Sequence, residues 1–147
     1  MLAAAALLFA ITPPLSAYGP TYSSCIPSSP DPQHVCDFLV EIDWEGGEYV
    51  LVLSEKIGME GKYAKWKRTD AILYPTKKET EDTVGGNGGV CEYNGKRDEQ
   101  VVAIAGRNGT KQWLTSISHA WKIDVKTKKF VEIPTKTIRC ENEGWGI

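Results

Sequence analysis

The sequence predicts an all-β protein, a single antiparallel barrel or sandwich of about seven or eight short strands that is stapled by disulfides. After residue 17, no stretch of ten or more residues carries an apolar stripe at helical spacing. Short segments that alternate apolar and polar residues recur instead, separated by Gly, Pro and Asn. The chain also contains four cysteines, an even number that suits two disulfides.

The first 17 residues, MLAAAALLFAITPPLSA, have the composition of a signal peptide. They carry no charged side chain, although the basic residues that usually open such peptides are missing. Their apolar run ends after residue 11 and is too short to span a bilayer. We therefore expect a signal peptide over 1–17 and a single β domain over 18–147. The domain would be periplasmic or secreted and would have no stable membrane anchor after cleavage. The sequence does not distinguish a bacterial from a eukaryotic export route.

The cysteines predict a disulfide framework rather than a metal site. No two of them have C-x-x-C spacing, and neither histidine falls in a ligand pattern, so we expect no metal and no cofactor. Three connectivities are possible. The favoured one pairs Cys25 with Cys36 around a proline-rich loop, and Cys91 with Cys140 across a long loop.

The first half of the chain predicts a hairpin followed by a less regular strand. CDFLVEIDW alternates cleanly, with Phe38, Val40, Ile42 and Trp44 on one face. A Glu-Gly-Gly-Glu turn returns the chain into YVLVLSE. YAKWKRTDAILYP then predicts one bent strand or two short ones. The charged run KKETED predicts an exposed connection, and VGGNGG a flexible loop that could gate a binding face.

The second half carries the strongest hairpin signal, because Asn108-Gly109 suits a type I′ turn between VVAIAGR and TKQWLTSIS. After SISHAWKIDV we expect a three-residue loop or a bulge before FVEIP, and then a last short strand, TKTIRC. The register implied at Asn108-Gly109 pairs three couples of residues: Arg107 with Thr110, Ile104 with Trp113, and Val102 with Thr115.

Charge is segregated along the chain. Residues 18–60 hold eight acids and one base, a charge of −7, whereas 61–147 hold sixteen bases and eleven acids, a charge of +5. Pairing of the two parts across the sheet is the favoured interpretation. A dipolar surface that steers a charged partner is the alternative.

His119 is the only candidate for a catalytic residue, and the case for it is weak. Strand alternation places it on one face with Trp121 and Ile123, and turns Ser116 and Ser118 away from it. A Ser–His dyad within the strand is therefore excluded, and a satisfied core or pocket histidine is favoured. The same alternation predicts Trp113 and Ile117 on the face of His119 as well.

Two alternatives assign this strand a function. A small hydrolase would pair His119 with a carboxylate of the Glu41, Asp43 and Glu45 row, although that row is typical of a solvent face. A carrier barrel would enclose a small apolar ligand beside Trp113 and Trp121.

The preferred hypothesis is an exported, non-catalytic binding or inhibitor-like module. Its partner would be a protein or an envelope or glycan surface, since the net charge of −2 and export argue against nucleic acid. Small periplasmic lysozyme inhibitors are similar in export, β content and disulfides, a likeness of fold class that assigns no residue. The oligomeric state stays open. The candidate binding residues form a basic hairpin and an aromatic tail: Lys122, Lys126, Lys128, Lys129 and Trp145.

Overall fold

A computed structural model describes residues 21–75 and 78–146, so the signal peptide predicted at 1–17 lies outside the described residues. The all-β class is confirmed, with more strands than the sequence predicts: twelve among the described residues, besides a 3-10 turn at Pro32–His34. The strands are β1 Ser23–Ile26, β2 Phe38–Glu45, β3 Glu48–Glu60, β4 Tyr63–Leu73, β5 Glu81–Gly85, β6 Cys91–Tyr93, β7 Lys96–Asp98, β8 Val101–Gly106, β9 Trp113–Leu114, β10 Ile117–Asp124, β11 Lys129–Glu132 and β12 Ile138–Glu141.

The strands form three antiparallel sheets of four. The first sheet has the order β1-β2-β3-β4, the middle sheet β11-β10-β8-β5, and the third sheet β7-β6-β12-β9. The first sheet is therefore a meander, whereas the other two assemble strands that are distant in sequence.

The middle sheet is buried on both faces. Val102 and Ile104 of β8 pack with the first sheet, in a core that includes Trp121 and Ile123. The alternate residues of the same sheet, such as Ala103 and Ala120, pack in a second core with the third sheet. A strand covered on both sides reads as a continuous apolar run, which is what VVAIA shows. The architecture is three stacked layers, and the barrel alternative is not formed as a closed barrel among the described residues.

The first and middle sheets approach each other at both edges. Where β4 meets β11, the Asp70 carboxylate accepts a bond from the backbone N–H of Phe130, at 2.9 Å. Where β1 meets β5, the backbone N–H of Asn87 donates to the Cys25 carbonyl, at 3.2 Å. In the part of the chain that the structure describes, no strand ladder closes either seam into a barrel.

The β2–β3 hairpin matches the sequence prediction. Gly46 and Gly47 have φ of 59° and 86°, the conformation that a type I′ turn requires. Glu45 pairs with Glu48 beside the turn, and the register continues to Phe38 opposite Glu55.

Beyond Glu55 the β3–β4 hairpin continues alone. β2 ends there, but β3 and β4 stay paired as far as Glu60 opposite Tyr63, with register shifts between Leu53 and Ser54 and around Ile57. We call residues 57–66 the arm. β4 is thus one bent strand, and the arm is a feature that the sequence did not predict.

The hairpin predicted around Asn108-Gly109 is wrong. β8 pairs with β10, with Ala105 opposite Ile117, while Leu114 lies in β9 opposite Cys140 in the third sheet. All three predicted residue couples are therefore absent from the register. Burial explains the difference: Leu114 is buried where it pairs with Cys140, and such burial exceeds what a local turn preference contributes.

The loop expected before FVEIP also differs. Ile123 lies opposite Phe130, and four residues, 125–128, make the turn. The Asp124 carboxylate accepts bonds from the backbone N–H groups of Lys126 and Thr127, and Lys128 adopts a φ of 58°. Side-chain capping by Asp124 thus closes a longer turn than the three residues expected. We call residues 125–129 the basic turn.

The segment 78–89 is more ordered than the sequence suggests. Glu81 and Asp82 belong to β5 rather than to an exposed connection, and Glu81 is only 8% exposed. The glycines that follow are needed for close packing, not flexibility. A Cβ on Gly85 would lie 2.2 Å from the Val101 carbonyl oxygen, and one on Gly86 would lie 2.5 Å from the Ser24 hydroxyl.

Both disulfides have the favoured connectivity, Cys25–Cys36 and Cys91–Cys140. Cys91 and Cys140 lie directly opposite each other on β6 and β12 and are fully buried in the second core. The first bridge instead closes the loop between β1 and β2.

The packing at Gly85 yields a stability prediction. We expect Gly85→Ala to lower the free energy of unfolding by about 2–4 kcal/mol, because its Cβ meets Val101 at a φ of +110°. Urea unfolding followed by circular dichroism measures the change. The matched control is Gly109→Ala, since a Cβ there meets nothing within 4 Å. Equal stability of the two variants would contradict the packing argument.

Candidate functional site

His119 lies on β10 and is half-buried. Its ring stacks on Trp121, with centroids 6.0 Å apart and planes 8° from parallel. A bulge between Ile117 and His119 breaks the expected alternation, so Ile117 packs in the second core instead of sharing the face of His119. Trp113 belongs to the third sheet, so Trp121 and Ile123 are the predicted neighbours that still share the face of His119.

Glu81, which the sequence analysis did not single out, is a carboxylate that interacts electrostatically with His119. Glu81 accepts a bond from the backbone N–H of Lys78 at 2.8 Å. The Ser118 hydroxyl, and then this N–H, hold the pKa of Glu81 below its usual value, with a smaller contribution from the charge of His119. The Ser118 hydroxyl therefore links the Glu81 carboxylate on β5 to the β10 bulge.

The carboxylates proposed as partners of His119 are turned away from it. Val40 of β2 is buried in the core between the first and middle sheets, so strand alternation points Glu41 and Asp43 to the opposite face. Arg68 binds Glu45 and approaches Asp43 to 3.9 Å there. The structure does not bring this row and His119 together.

A second serine–histidine–carboxylate group lies in the Cys25–Cys36 loop. Asp37 accepts bonds from the Ser28 hydroxyl at 2.5 Å and from Nδ1 of His34 at 2.6 Å. These two bonds, with Ser28 the larger cause, hold the pKa of Asp37 below its ordinary value. The hydroxyl donates to the carboxylate and not to the imidazole, so the bonds brace the loop instead of activating the serine. The spacing of His34 and Asp37 by three residues was the signal available in the sequence.

The carrier hypothesis placed a ligand beside Trp113 and Trp121. Trp121 is only 7% exposed in the first core, whereas Trp113 lies on β9 of the third sheet. The two indoles lie in different layers, so the structure does not bring them together around one space.

The basic residues predicted to bind a partner divide into two kinds. Lys122 binds Asp98 at 2.6 Å, and Lys128 binds Glu55 at 2.8 Å, so these two have internal partners. Lys126 and Lys129 are exposed. The Lys128–Glu55 bond also places the basic turn beside the base of the arm, because Glu55 is the last residue of β3 that pairs with β2.

Some of the segregated charges form ion pairs within the fold. Lys128–Glu55 and Arg68–Glu45 each join the basic part of the chain to the acidic part. The favoured pairing therefore holds for these two contacts. Four other bases pair instead with acids of their own part of the chain: Arg97, Arg107, Lys122 and Arg139.

The arm exposes large apolar side chains on both faces of its hairpin, because Met59 lies opposite Ala64 whereas Tyr63 lies opposite Glu60. Ile57, Met59 and Tyr63 are 56%, 58% and 69% exposed. Lys62 lies over the Tyr63 ring, with its Nζ 5.4 Å from the centroid, and Lys65 is exposed nearby. The signal in the sequence was the continued alternation through Ile57 and Met59 past the predicted end of the strand.

Trp145 lies at the other end of the molecule. It is 51% exposed, and its backbone N–H donates to the Asn142 carbonyl. The side chain of Asn142 in turn binds the carbonyls of Asn108 and Lys111. The tail is therefore tied to the 107–112 loop. About half of the Trp145 surface remains exposed to solvent.

The 107–112 loop borders a cavity of about 260 Å³. Its lining is mostly polar and includes Thr80, Arg107, Asn108, Lys111, Trp113 and Ser116. The cavity exists because β9 leaves the middle sheet for the third sheet, which opens the space that the predicted hairpin would have filled.

Comparison of the chain with models of known protein families, with curated proteins and with solved structures found no significant match. Within the described ranges, no helix is long and apolar enough to span a membrane. The same residues contain no cluster of three or more His, Cys, Asp or Glu able to hold a metal ion.

Glu81 yields a pH prediction. Its pKa is lower in the folded chain than the unfolded value of about 4.3, so its stabilising effect is complete above that value and is lost as the pH falls through the folded pKa. We expect Glu81→Gln to lower the free energy of unfolding by about 1 kcal/mol at neutral pH, with the difference from wild type vanishing in acid.

Urea unfolding of both proteins between about pH 3 and pH 7 measures this difference. Glu79→Gln is the control, because Glu79 is exposed in the preceding turn. A Glu81→Gln deficit that stays constant with pH would show that the carboxylate's charge is not involved.

Proposed function

We propose that this chain is an exported protein, periplasmic or secreted, that binds an acidic partner protein without catalysis, in the manner of an inhibitor. The binding surface is the arm together with the basic turn. The observation that carries the proposal is the arm itself, a hairpin that continues past the sheet with apolar side chains exposed and lysines beside them.

Export is supported by the cysteines. Two disulfides are typical of an oxidising compartment, and the composition of residues 1–17 is that of a signal peptide. The Cys25–Cys36 bridge also closes the loop that leads into β2. This loop is joined to the base of the arm, because the backbone N–H of Lys56 donates to the Asp37 carbonyl at 2.8 Å.

The apolar side chains supply the contact. Tyr63 is 69% exposed, and exposed aromatic residues of this kind often dominate the binding energy of an interface. The arm is also ordered in advance, because β3 and β4 remain paired up to Glu60 and Tyr63. A preordered hairpin loses less conformational entropy on binding than a flexible loop.

The charges select the partner. Lys62, Lys65 and Lys67 form no ion pair with any described residue, and Lys126 and Lys129 are exposed on the adjacent turn. The cations at this end therefore remain available to a partner. A surface of one sign accelerates association with a surface of the opposite sign.

The arm yields a binding prediction. The purified, disulfide-bonded protein should capture an acidic protein from the exported fraction of its source, and the captured protein should then be identified and titrated by calorimetry. Tyr63→Ala should weaken binding by about thirtyfold, the effect of a hot-spot residue of ~2 kcal/mol. Lys62→Gln with Lys65→Gln should slow association and reduce its salt dependence.

The matched control is Leu73→Ser, since Leu73 is 62% exposed on β4 outside the arm. Its affinity should equal that of wild type. Unchanged affinity of Tyr63→Ala would show that the arm is not the contact. Binding to vesicles of anionic lipid that depends on Tyr63 in the same way would replace the protein partner with a membrane surface.

A further inference from the structure

We propose that the cavity beside the 107–112 loop binds a carboxylate-bearing sugar ring, such as a uronic acid unit of an acidic polysaccharide. This site lies beyond the function proposed for the arm and does not depend on it. β10 runs from Ile117 to Asp124, so the cavity and the basic turn lie at opposite ends of the middle sheet, ~23 Å apart along the strand.

The walls of the cavity are held from two sides. The backbone N–H of Gly106 donates to the Ser116 carbonyl at 2.8 Å. On the other side, the Asn142 amide donates to the Asn108 carbonyl, and to the Lys111 carbonyl at 2.8 Å. These bonds preform the cavity, so a ligand does not have to order the loop.

Two cations give the cavity its charge preference. Nε of Arg107 lies 3.0 Å from Asp82, and one terminal nitrogen binds the Glu79 carbonyl, which leaves further N–H donors of the guanidinium for a ligand. Lys111 is exposed and forms no ion pair with a described residue. With Asp82 offsetting Arg107, Lys111 leaves the lining positive, and a carboxylate is the anion that a guanidinium fork fits.

The remaining lining suits a sugar ring rather than a simple anion. The Trp113 indole is fixed by Arg139, whose guanidinium carbon lies 4.1 Å from the ring centroid. Thr80, Thr115 and Ser116 line the same space, and their hydroxyl groups are of the kind that exchanges hydrogen bonds with sugar hydroxyls. A volume of about 260 Å³ is large enough for a single sugar ring.

The test is an NMR titration of the purified, disulfide-bonded protein, labelled with nitrogen-15. Glucuronate is the probe, glucose the neutral ring of the same shape, and acetate the carboxylate without a ring. We expect glucuronate to give saturable shifts of the Trp113 indole N–H and of amides 107–116. Glucose and acetate should each bind about tenfold more weakly, because each lacks one set of contacts.

Two variants check the assignment. Lys111→Gln should weaken glucuronate binding about tenfold, and it breaks no side-chain hydrogen bond within the described residues. Arg107→Gln should weaken it as much, although it also removes the contact with Asp82. The control is Lys126→Gln at the far end of the middle sheet, which should bind like wild type.

Three results would overturn the proposal. Glucuronate that shifts no resonance of the 107–116 segment would remove the site. Equal responses to acetate and glucuronate would make it an anion site without sugar recognition. Unchanged affinity of Lys111→Gln and Arg107→Gln together would show that the two cations do not bind the carboxylate.

Discussion

The structure depends on one strand, β8, being covered on both faces. Residues Val101 to Ala105 have no solvent exposure, so each face of this strand needs a packed layer of its own. The first sheet supplies one layer and the third sheet the other. Ala103 and Ala120 supply small side chains to the core between the middle and third sheets. The three-layer arrangement follows from this demand.

Local patterns predicted the parts of the fold that local forces determine. The β2–β3 hairpin was readable because Gly46-Gly47 matches its turn and the alternation of β2 matches its buried face. The favoured disulfide pairing was also readable from loop lengths. The hairpin predicted at Asn108-Gly109 was wrong because Leu114 pairs with Cys140, a distant residue that no pattern near the turn reveals. Burial against a remote strand outweighed the turn preference.

The candidate surfaces were predictable to a similar degree. The basic turn was visible as a run of lysines, but the internal partners of Lys122 and Lys128, Asp98 and Glu55, come from remote strands. The arm depends on where β2 stops pairing with β3, and the cavity depends on β9 joining another sheet. Each is a tertiary outcome, whereas sequence alternation reports only which face of one strand is buried.

The third sheet also depends on the rest of the fold for its stability. Its strands are two to four residues long and come from both sides of β8 and β10 in the chain, so they have no local hairpin large enough to be stable alone. The layer therefore depends on the middle sheet for its stability. Cys25 and Cys36 are eleven residues apart and Cys91 and Cys140 are forty-nine apart, so closing the first loop costs less chain entropy than closing the second.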